Sequence, residues 1–486
     1  MISVKRRVPA RLAAAAMASG LVAAGAMAAA GPAVADEVPQ NQGGGATATL
    51  GGLTTSGKAV VHDKGDTWGV DAGLFRMKVK EGGDIQSYCI DIRNPTQAGA
   101  QYKETDWEQS SLHNNPDAGK ILWILEHSYP HVNDLTKLAK TAGVSSLTED
   151  QAAAGTQVAI WRYSDHVKVD AKNENAEKLA DYLTKNAEKV EEPKASLTLT
   201  PNAVSGKSGQ KLGPITVHTN AKSVTVAPAG DAATKGVKVV DKTGKSITSA
   251  VNGSELFFDV PAGTADGATS LTASATTQVP IGRAFTGIGK YAKSQTQILA
   301  GSTASNVSAP ATANWAKKGA IPAVTAKKDC VKGGVNVTAT NQGDEAFTFT
   351  LEGKKVTVQP GKSETTFVKV AEDQAYKFTI NGPNGFSKTF SGVLDCQTAG
   401  SGSTGGGTHT PAPSTAPSSH PSPASAGGST GSGSTSGSSS TGGGDLAETG
   451  SSSATPVIAS VAVGLVVVGG GAVFLLRKKK AGAAGQ

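Results

Sequence analysis

Residues 398–445, which open TAGSGSTGGGTHTPAPSTAPSSHPSP, show no apolar periodicity and almost no charge. Such a segment cannot bury enough surface to offset the entropy of ordering it. It therefore divides the chain. Whatever folds must lie before it, and it serves as a spacer to whatever follows. Its length gives a coil dimension of roughly 40 Å and an extended reach of roughly 150 Å. His409 and His420 lie within it, and neither reads as a metal ligand.

The two ends of the chain are addressed, not folded. Residues 1–35 carry a basic start (Lys5, Arg6, Arg7, Arg11), an Ala-rich apolar run and the small-x-small site Ala33-Val34-Ala35. That order is a secretory signal peptide and is set aside from fold reasoning. At the other end, residues 456–476 are 21 residues without charge. As a helix they would run about 31 Å, enough to cross a bilayer. Arg477, Lys478, Lys479 and Lys480 follow in the basic tail, residues 477–486, which places it in the cytoplasm. Leu446-Ala447-Glu448-Thr449-Gly450 stands before the span. Motif, span and basic tail together resemble a Gram-positive cell-wall sorting signal in its LAxTG form. The resemblance implies cleavage by a sortase between Thr449 and Gly450 and attachment of Thr449 to peptidoglycan, so that the membrane is met only through the C-terminal helix. The Ala/Gly-rich composition and the LAxTG form point to a GC-rich actinobacterium.

These ends also explain the charge. The formal net charge is +7, and the two ends hold eight positive charges and no acidic residue. Without them, residues 36–449 stand at −1. The basicity belongs to targeting, and it gives no reason to expect a nucleic-acid partner.

The remaining residues suffice for two or three domains. Residues 36–193 mix signals. Ala59–Val61, Leu74–Val79 and Ser87–Ile92 read as strands. Asn115-Pro116-Asp117 reads as a helix start with Pro at the first helical position. Thr148 to Gln151 forms a capping-box pattern opening QAAAGTQVAIWRYS, and Asp170–Lys189 reads as a charged amphipathic helix. From there the character changes to short alternating β runs. We expect a β-sandwich over residues 194–318 and a second over 319–397. The expected fold class is thus multidomain: an α+β domain, two all-β immunoglobulin-like sandwiches, a linker and a membrane helix.

Cys330 and Cys396 bracket the last β unit and are expected to bridge in an oxidising exterior. That leaves Cys89, in QSYCIDI, as an odd thiol. Four readings stand side by side. Cys89 could be a buried small hydrophobe on a strand. It could be a nucleophile with a base among His62, His113, His127, His131 and His166, although none sits in a recognisable signature. It could be a metal ligand, but Pro130 interrupts the His127/His131 spacing and no cluster completes a site. The fourth reading depends on Gln157. On a helix Ala153, Gln157, Ile160 and Trp161 share one stripe, so a carboxamide sits on an apolar face. Such a group is costly without a partner, and Cys89 is a candidate for that partner.

SYCIDI and TQVAIW, in this order and just after the export signal, resemble the motifs of the thioester domains of Gram-positive surface proteins. The resemblance covers residues 36–193. It implies an internal thioester between Cys89 and Gln157, formed with loss of ammonia and requiring no cofactor or metal. Tyr88, Ile90, Thr156, Ala159, Ile160 and Trp161 match supporting motif positions. The implied function is a wall-anchored adhesin that captures an amine-bearing surface ligand once and does not turn over, so not an enzyme in the usual sense. Two other classes remain open: a non-covalent structural wall protein, and a surface hydrolase or transpeptidase using Cys89.

Overall fold

Two long strands, Thr47–Asp63 and Asp66–Val79, form a hairpin through Lys64 and Gly65. Both turn residues have positive φ (50° and 94°), the twist that a two-residue hairpin turn needs. Asp66–Val79 pairs next with Asp84–Cys89. That strand pairs with Gln297–Ser302, which pairs with Ala284–Gly287, which pairs with Gln101–Thr105. Gln101–Thr105 returns to Thr47–Asp63, so six strands close into a ring. Closure leaves no end strand, although the part of Thr47–Asp63 beyond Thr49 is not paired with Gln101–Thr105. Lys168–Ala171 adds a seventh strand on Thr47–Asp63.

This is a computed structural model. It describes residues 38–39 and 43–397, which fall in the first of two compact units, residues 1–418. The expected signal peptide (1–35), spacer (398–445), sorting pentapeptide Leu446 to Gly450, apolar span (456–476) and basic tail (477–486) lie outside the described residues. Among the described residues no helix is long and apolar enough to cross a membrane.

Four helices follow the first strands: α1 (Ala118–His127), α2 (Leu135–Ala142), α3 (Glu149–Ser164) and α4 (Glu174–Asn186). The capping box of α3 is made as the sequence predicts. The Thr148 hydroxyl accepts from Gln151 N, and the Gln151 side chain accepts from Thr148 N. Eleven of its residues, nearly all small or apolar, are buried. Gly155 is where α4 comes closest: a Cβ there would lie 2.5 Å from Ala176 O. Two expectations shift. Pro116 precedes the α1 cap, Asp117, and does not sit in the first turn. The helix read from Asp170 begins only at Glu174, capped by Asn173, because Lys168–Ala171 is held as a strand.

The expectation that the first domain ends at residue 193 does not match the sheet. Residues 195–316 do build a sandwich. One sheet has five strands: Ser249–Ala250, Val224–Pro228, Gly267–Gln278, Ala304–Ala316 and Ala203–Lys207. The other has four: Lys238–Val240, Glu255–Asp259, Lys211–Thr219 and Leu197–Thr200. Gly267–Gln278 and Ala304–Ala316 pair without a break from Gly267↔Trp315 to Gln278↔Ala304. Between them, residues 279–303 leave the sandwich and supply Ala284–Gly287 and Gln297–Ser302 to the ring. The turn of a sandwich hairpin is thus two strands of the first domain.

Apolar burial and one ionic cluster hold this excursion. Phe285, Ile298 and Leu299 are fully buried. Each contributes roughly 1.5–3 kcal/mol by removal from water. Arg283, 2% exposed, pairs with Glu104 (3.0 Å), Asp106 (2.9 Å) and Glu192 (2.8 Å) and donates to Pro193 O. Glu104 also accepts from Ser196 N at 2.9 Å. The cluster ties the ring to the point where the sandwich begins. Removing Arg283 would strand a buried carboxylate, at a cost of about 3–5 kcal/mol.

The last β unit spans Pro322–Asp329 to Ser387–Val393. Cys330 and Cys396, 66 residues apart, are bonded with Cα atoms 5.4 Å apart. In the chain-entropy account a loop of that size contributes about 4 kcal/mol.

Cutting the chain tests the shared sheet. Residues 36–193 alone lose Gln297–Ser302 and Ala284–Gly287, one of the two partners of Asp84–Cys89 and of Gln101–Thr105, whereas residues 36–318 keep them. The shorter chain is expected to lack a cooperative urea transition by tryptophan fluorescence, and the longer one to show it. Equal midpoints would contradict the shared sheet.

Candidate functional site

Cys89 ends the strand Asp84–Cys89 and lies directly opposite Gln297 on Gln297–Ser302. Alternation along strands puts Ser87, Cys89 and Gln297 on one face, and Gln295 continues that face two residues earlier. All four are buried. The Cys89 thiol donates to Gln295 Oε1 at 2.6 Å. Gln297 Nε2 donates to Cys89 Sγ at 3.2 Å, and Gln297 Oε1 accepts from the Ser87 hydroxyl at 3.0 Å. Gln295 Nε2 donates to the main-chain oxygen of Asp91. The segment carrying Gln295 is fixed on both sides. The Tyr102 hydroxyl bonds Ser294 Oγ (2.7 Å) and Gln295 O (2.8 Å), and Ile90 N donates to Thr296 O at 3.1 Å.

Gln157 approaches from α3 and meets Cys89 through the main chain. Cys89 N donates to Gln157 Oε1 at 2.9 Å, and Gln157 Nε2 donates to Cys89 O at 2.8 Å. The last pair with the neighbouring strand is Phe75↔Ser87, so Cys89 has no strand partner on that side. The carboxamide takes that place, which explains a buried polar group on the apolar face of α3. The structure brings Cys89 and Gln157 together, but not as thiol and carbonyl. Strand side chains leave perpendicular to the plane in which N–H and C=O point. A group clamped to both main-chain atoms of Cys89 lies in that plane, while the sulfur meets Gln295 and Gln297. The assignment of Gln157 as the sulfur's partner is corrected on this ground.

The motif positions around the pair are structural. Tyr88 OH donates to Tyr129 O at 2.7 Å, and Thr156 Oγ1 donates to Ala152 O at 2.7 Å while touching Ser128 Oγ at 2.6 Å. Ile90, Ala159, Ile160 and Trp161 are core. Asp165, the C-cap of α3, accepts from Ile92 N at 2.9 Å, so α3 and its cap run beside the Cys89–Ile92 segment.

Burial pushes the Cys89 thiol well above its ordinary pKa; the Gln297 bond opposes this, and the Asp91 and Asp165 carboxyls add to it. Burial, then Asp165, raises Asp91 well above the usual carboxylate range. The five histidines stand elsewhere. His62 pairs with Asp170 at 3.2 Å, His113 faces Ser110 O, His127 faces Trp123 O, and His131 and His166 are exposed. Among the described residues no cluster of His, Cys, Asp or Glu could hold a metal ion.

Gln295 and Gln297 were not read from the sequence. The signal was present in SQTQILA: two glutamines at i and i+2 leading into an apolar run. On a half-buried strand that spacing places two carboxamides on one face.

Replacing Gln157 by leucine leaves a buried N–H and C=O of Cys89 unpaired. The expected loss is about 2–4 kcal/mol, read from the urea midpoint at unchanged slope. The thiol's contact with Gln295 does not depend on that carboxamide, so the chemistry of Cys89 is expected to survive wherever the variant is folded.

Residues 86–189 match the family model described as the thioester domain, and residues 322–393 match that of the bacterial phospholipase C C-terminal domain. No curated protein matches the chain. Among solved structures, the Bacillus anthracis TIE protein is 16% identical, over 72% of this chain and 81% of its own, with a TM-score of 0.26. The thioester domain of the Enterococcus faecium TIE86 protein is 17% identical, over 56% and 97%, with a TM-score of 0.26. That of the Staphylococcus aureus TIE protein is 13% identical, over 55% and 98%, at 0.21. TM-scores this low do not establish a shared fold, and the likeness rests on the family model: the segment that holds both Cys89 and Gln157, residues 86–189, matches the thioester domain family.

Proposed function

We propose that Cys89 Sγ and Gln295 Cδ form an internal thioester, and that this bond captures an amine-bearing target on a wall-anchored surface protein. The observation that carries this reading is the thiol on Gln295 Oε1 at 2.6 Å inside a buried site. Attack by sulfur on the carboxamide carbon expels ammonia and leaves an acyl group on a good leaving group. Fixing both groups on paired strands supplies the high effective concentration that a poor electrophile requires. Gln297 Nε2, bonded to the sulfur, stabilises negative charge there as it develops and when thiolate is later expelled. Burial slows hydrolysis of the waiting bond.

An incoming primary amine, such as a lysine on another surface, forms an amide at Gln295 and frees Cys89. The event is consumed once and does not turn over. Sequence signals supply the rest of the reading: export, a spacer, sortase transfer of Thr449 to peptidoglycan, and a membrane contact only through the precursor's C-terminal helix. A cysteine hydrolase is disfavoured because the described contacts of the thiol are two carboxamides and include no histidine.

Intact mass decides the chemistry. The wild-type chain is expected to weigh one ammonia less than its sequence and disulfide require. Cys89→Ala and Gln295→Ala restore full mass, and folded Gln157→Leu keeps the deficit. Methylamine should add to Gln295 and expose one alkylatable thiol. Full mass with a freely alkylated Cys89 in the wild type would leave a non-covalent wall protein as the reading. A deficit that survives Gln295→Ala but disappears in Gln297→Ala would move the bond to the neighbouring glutamine.

A further inference from the structure

No histidine is among the described contacts of the thiol, and a buried carboxyl stands two residues from the nucleophile. Resting on the thioester reading above, the geometry points to Asp91 as the residue that moves the proton between Cys89 sulfur and the nitrogen at Gln295. Gln295 Nε2, the atom that would depart as ammonia, donates to the main-chain oxygen of Asp91. Asp91 is fully buried, and its Oδ1 has no hydrogen-bond partner among the described residues. Its Oδ2 accepts from Asn94 Nδ2. A buried carboxyl oxygen without a partner is costly unless it is protonated or used. Here it belongs to the residue that already holds the leaving nitrogen, two positions from the nucleophile.

The charged groups around it favour a carboxyl that keeps its proton easily. Asp165 faces it from the C-cap of α3, and Asp395 faces it from beside Cys396 in the disulfide-bonded β unit. Both are carboxylates, so together with burial they hold Asp91 above the usual carboxylate range. Cys89 is raised first by burial in the same surroundings and then by the carboxyls of Asp91 and Asp165. A weak acid beside a weak acid exchanges protons more readily than an ordinary carboxylate would.

The steps balance. In formation, the Asp91 carboxylate takes the proton from Cys89 Sγ, and sulfur bonds to Gln295 Cδ. The Cδ–Nε2 bond then breaks as Nε2 receives that proton, and ammonia leaves. In capture, a neutral amine bonds to Cδ and the Cδ–Sγ bond breaks. Asp91 takes the proton the amine sheds and returns it to sulfur. No oxidant or reductant enters either direction.

The test uses the full chain with methylamine as the probe. Asp91→Asn keeps shape and removes the carboxylate. Formation of the light species on refolding is expected to slow by roughly 100-fold or more. In the wild type, the capture rate referred to unprotonated methylamine should rise with pH through one ionisation, since the carboxylate form accepts the proton. Asp91→Asn should flatten that rise, and Asp91→Glu should restore part of it. A structural role for Asp91 would lower stability without removing the ionisation. Equal rates and the same pH profile in Asp91→Asn would overturn the role. If Asp91→Asn does not fold, a wild-type capture rate independent of pH on that scale overturns it equally. Absence of the ammonia deficit in the wild type overturns the thioester itself, and this role with it.

Discussion

The pairing of Asp84–Cys89 with Gln297–Ser302 is the interaction on which the rest depends. It closes the six-stranded ring, sets Gln297 opposite Cys89, and brings Gln295 onto the sulfur. The strand that does this does not come from the neighbouring sequence. It arrives as the far end of a sandwich hairpin, across a separation of about 200 residues. Closing so long a loop is entropically expensive, and the sandwich makes it affordable. Gly267–Gln278 and Ala304–Ala316 fix the two ends of the excursion side by side, so that only residues 279–303 remain to be ordered. Arg283 then locks the start of the excursion to Glu104. The two domains are one cooperative object at this point.

The polar groups at the site follow a consistent logic. A buried thiol on an apolar face would need no carboxamide near it. Here three surround Cys89, each with both ends used: Gln157 on the main chain of Cys89, Gln295 between sulfur and Asp91 O, and Gln297 between sulfur and Ser87. Satisfied networks of this kind specify one geometry, because any shift breaks several bonds at once. The unpartnered Asp91 Oδ1 is the exception within the network, and it belongs to the residue whose main-chain oxygen holds Gln295 Nε2.

Much of this was legible in the sequence, and the parts that were not share a cause. Local signals read correctly: the Thr148–Gln151 capping box, the β character after residue 195, and the oddity of both Cys89 and Gln157. Each depends on spacing within a few residues, where side-chain period and capping chemistry act. What failed was non-local. Gln157 was read as the thiol's partner because it was the one buried carboxamide whose strangeness showed on a helical stripe. Gln295 lay in a run that looked like one more sandwich strand, and no local rule says that a hairpin turn will join another sheet. The same applies to Lys168–Ala171. It continues a helix-like composition, yet it is drawn into the sheet because Thr47–Asp63 has an edge to cover there.

The route by which Gln295 reaches the site also bears on how a captured target would be held. With the amide at Gln295, force applied to the target enters the chain between Ala284–Gly287 and Ala304–Ala316. It then passes through Gln297–Ser302 into the longest strand of the sandwich, which pairs along its length with Gly267–Gln278. From there it runs to the disulfide-bonded unit, where Cys330–Cys396 short-circuits most of the last module. The ring strands that precede residue 284, and the helices, lie off the covalent path. With the amide at Gln157, tension would instead pass through α3 and α4 before reaching any long strand pair. A helix gives way turn by turn, while an antiparallel pair loaded along its strands must shear many hydrogen bonds together. An electrophile delivered by the sandwich hairpin therefore suits a tether better than one delivered by the helix that braces Cys89.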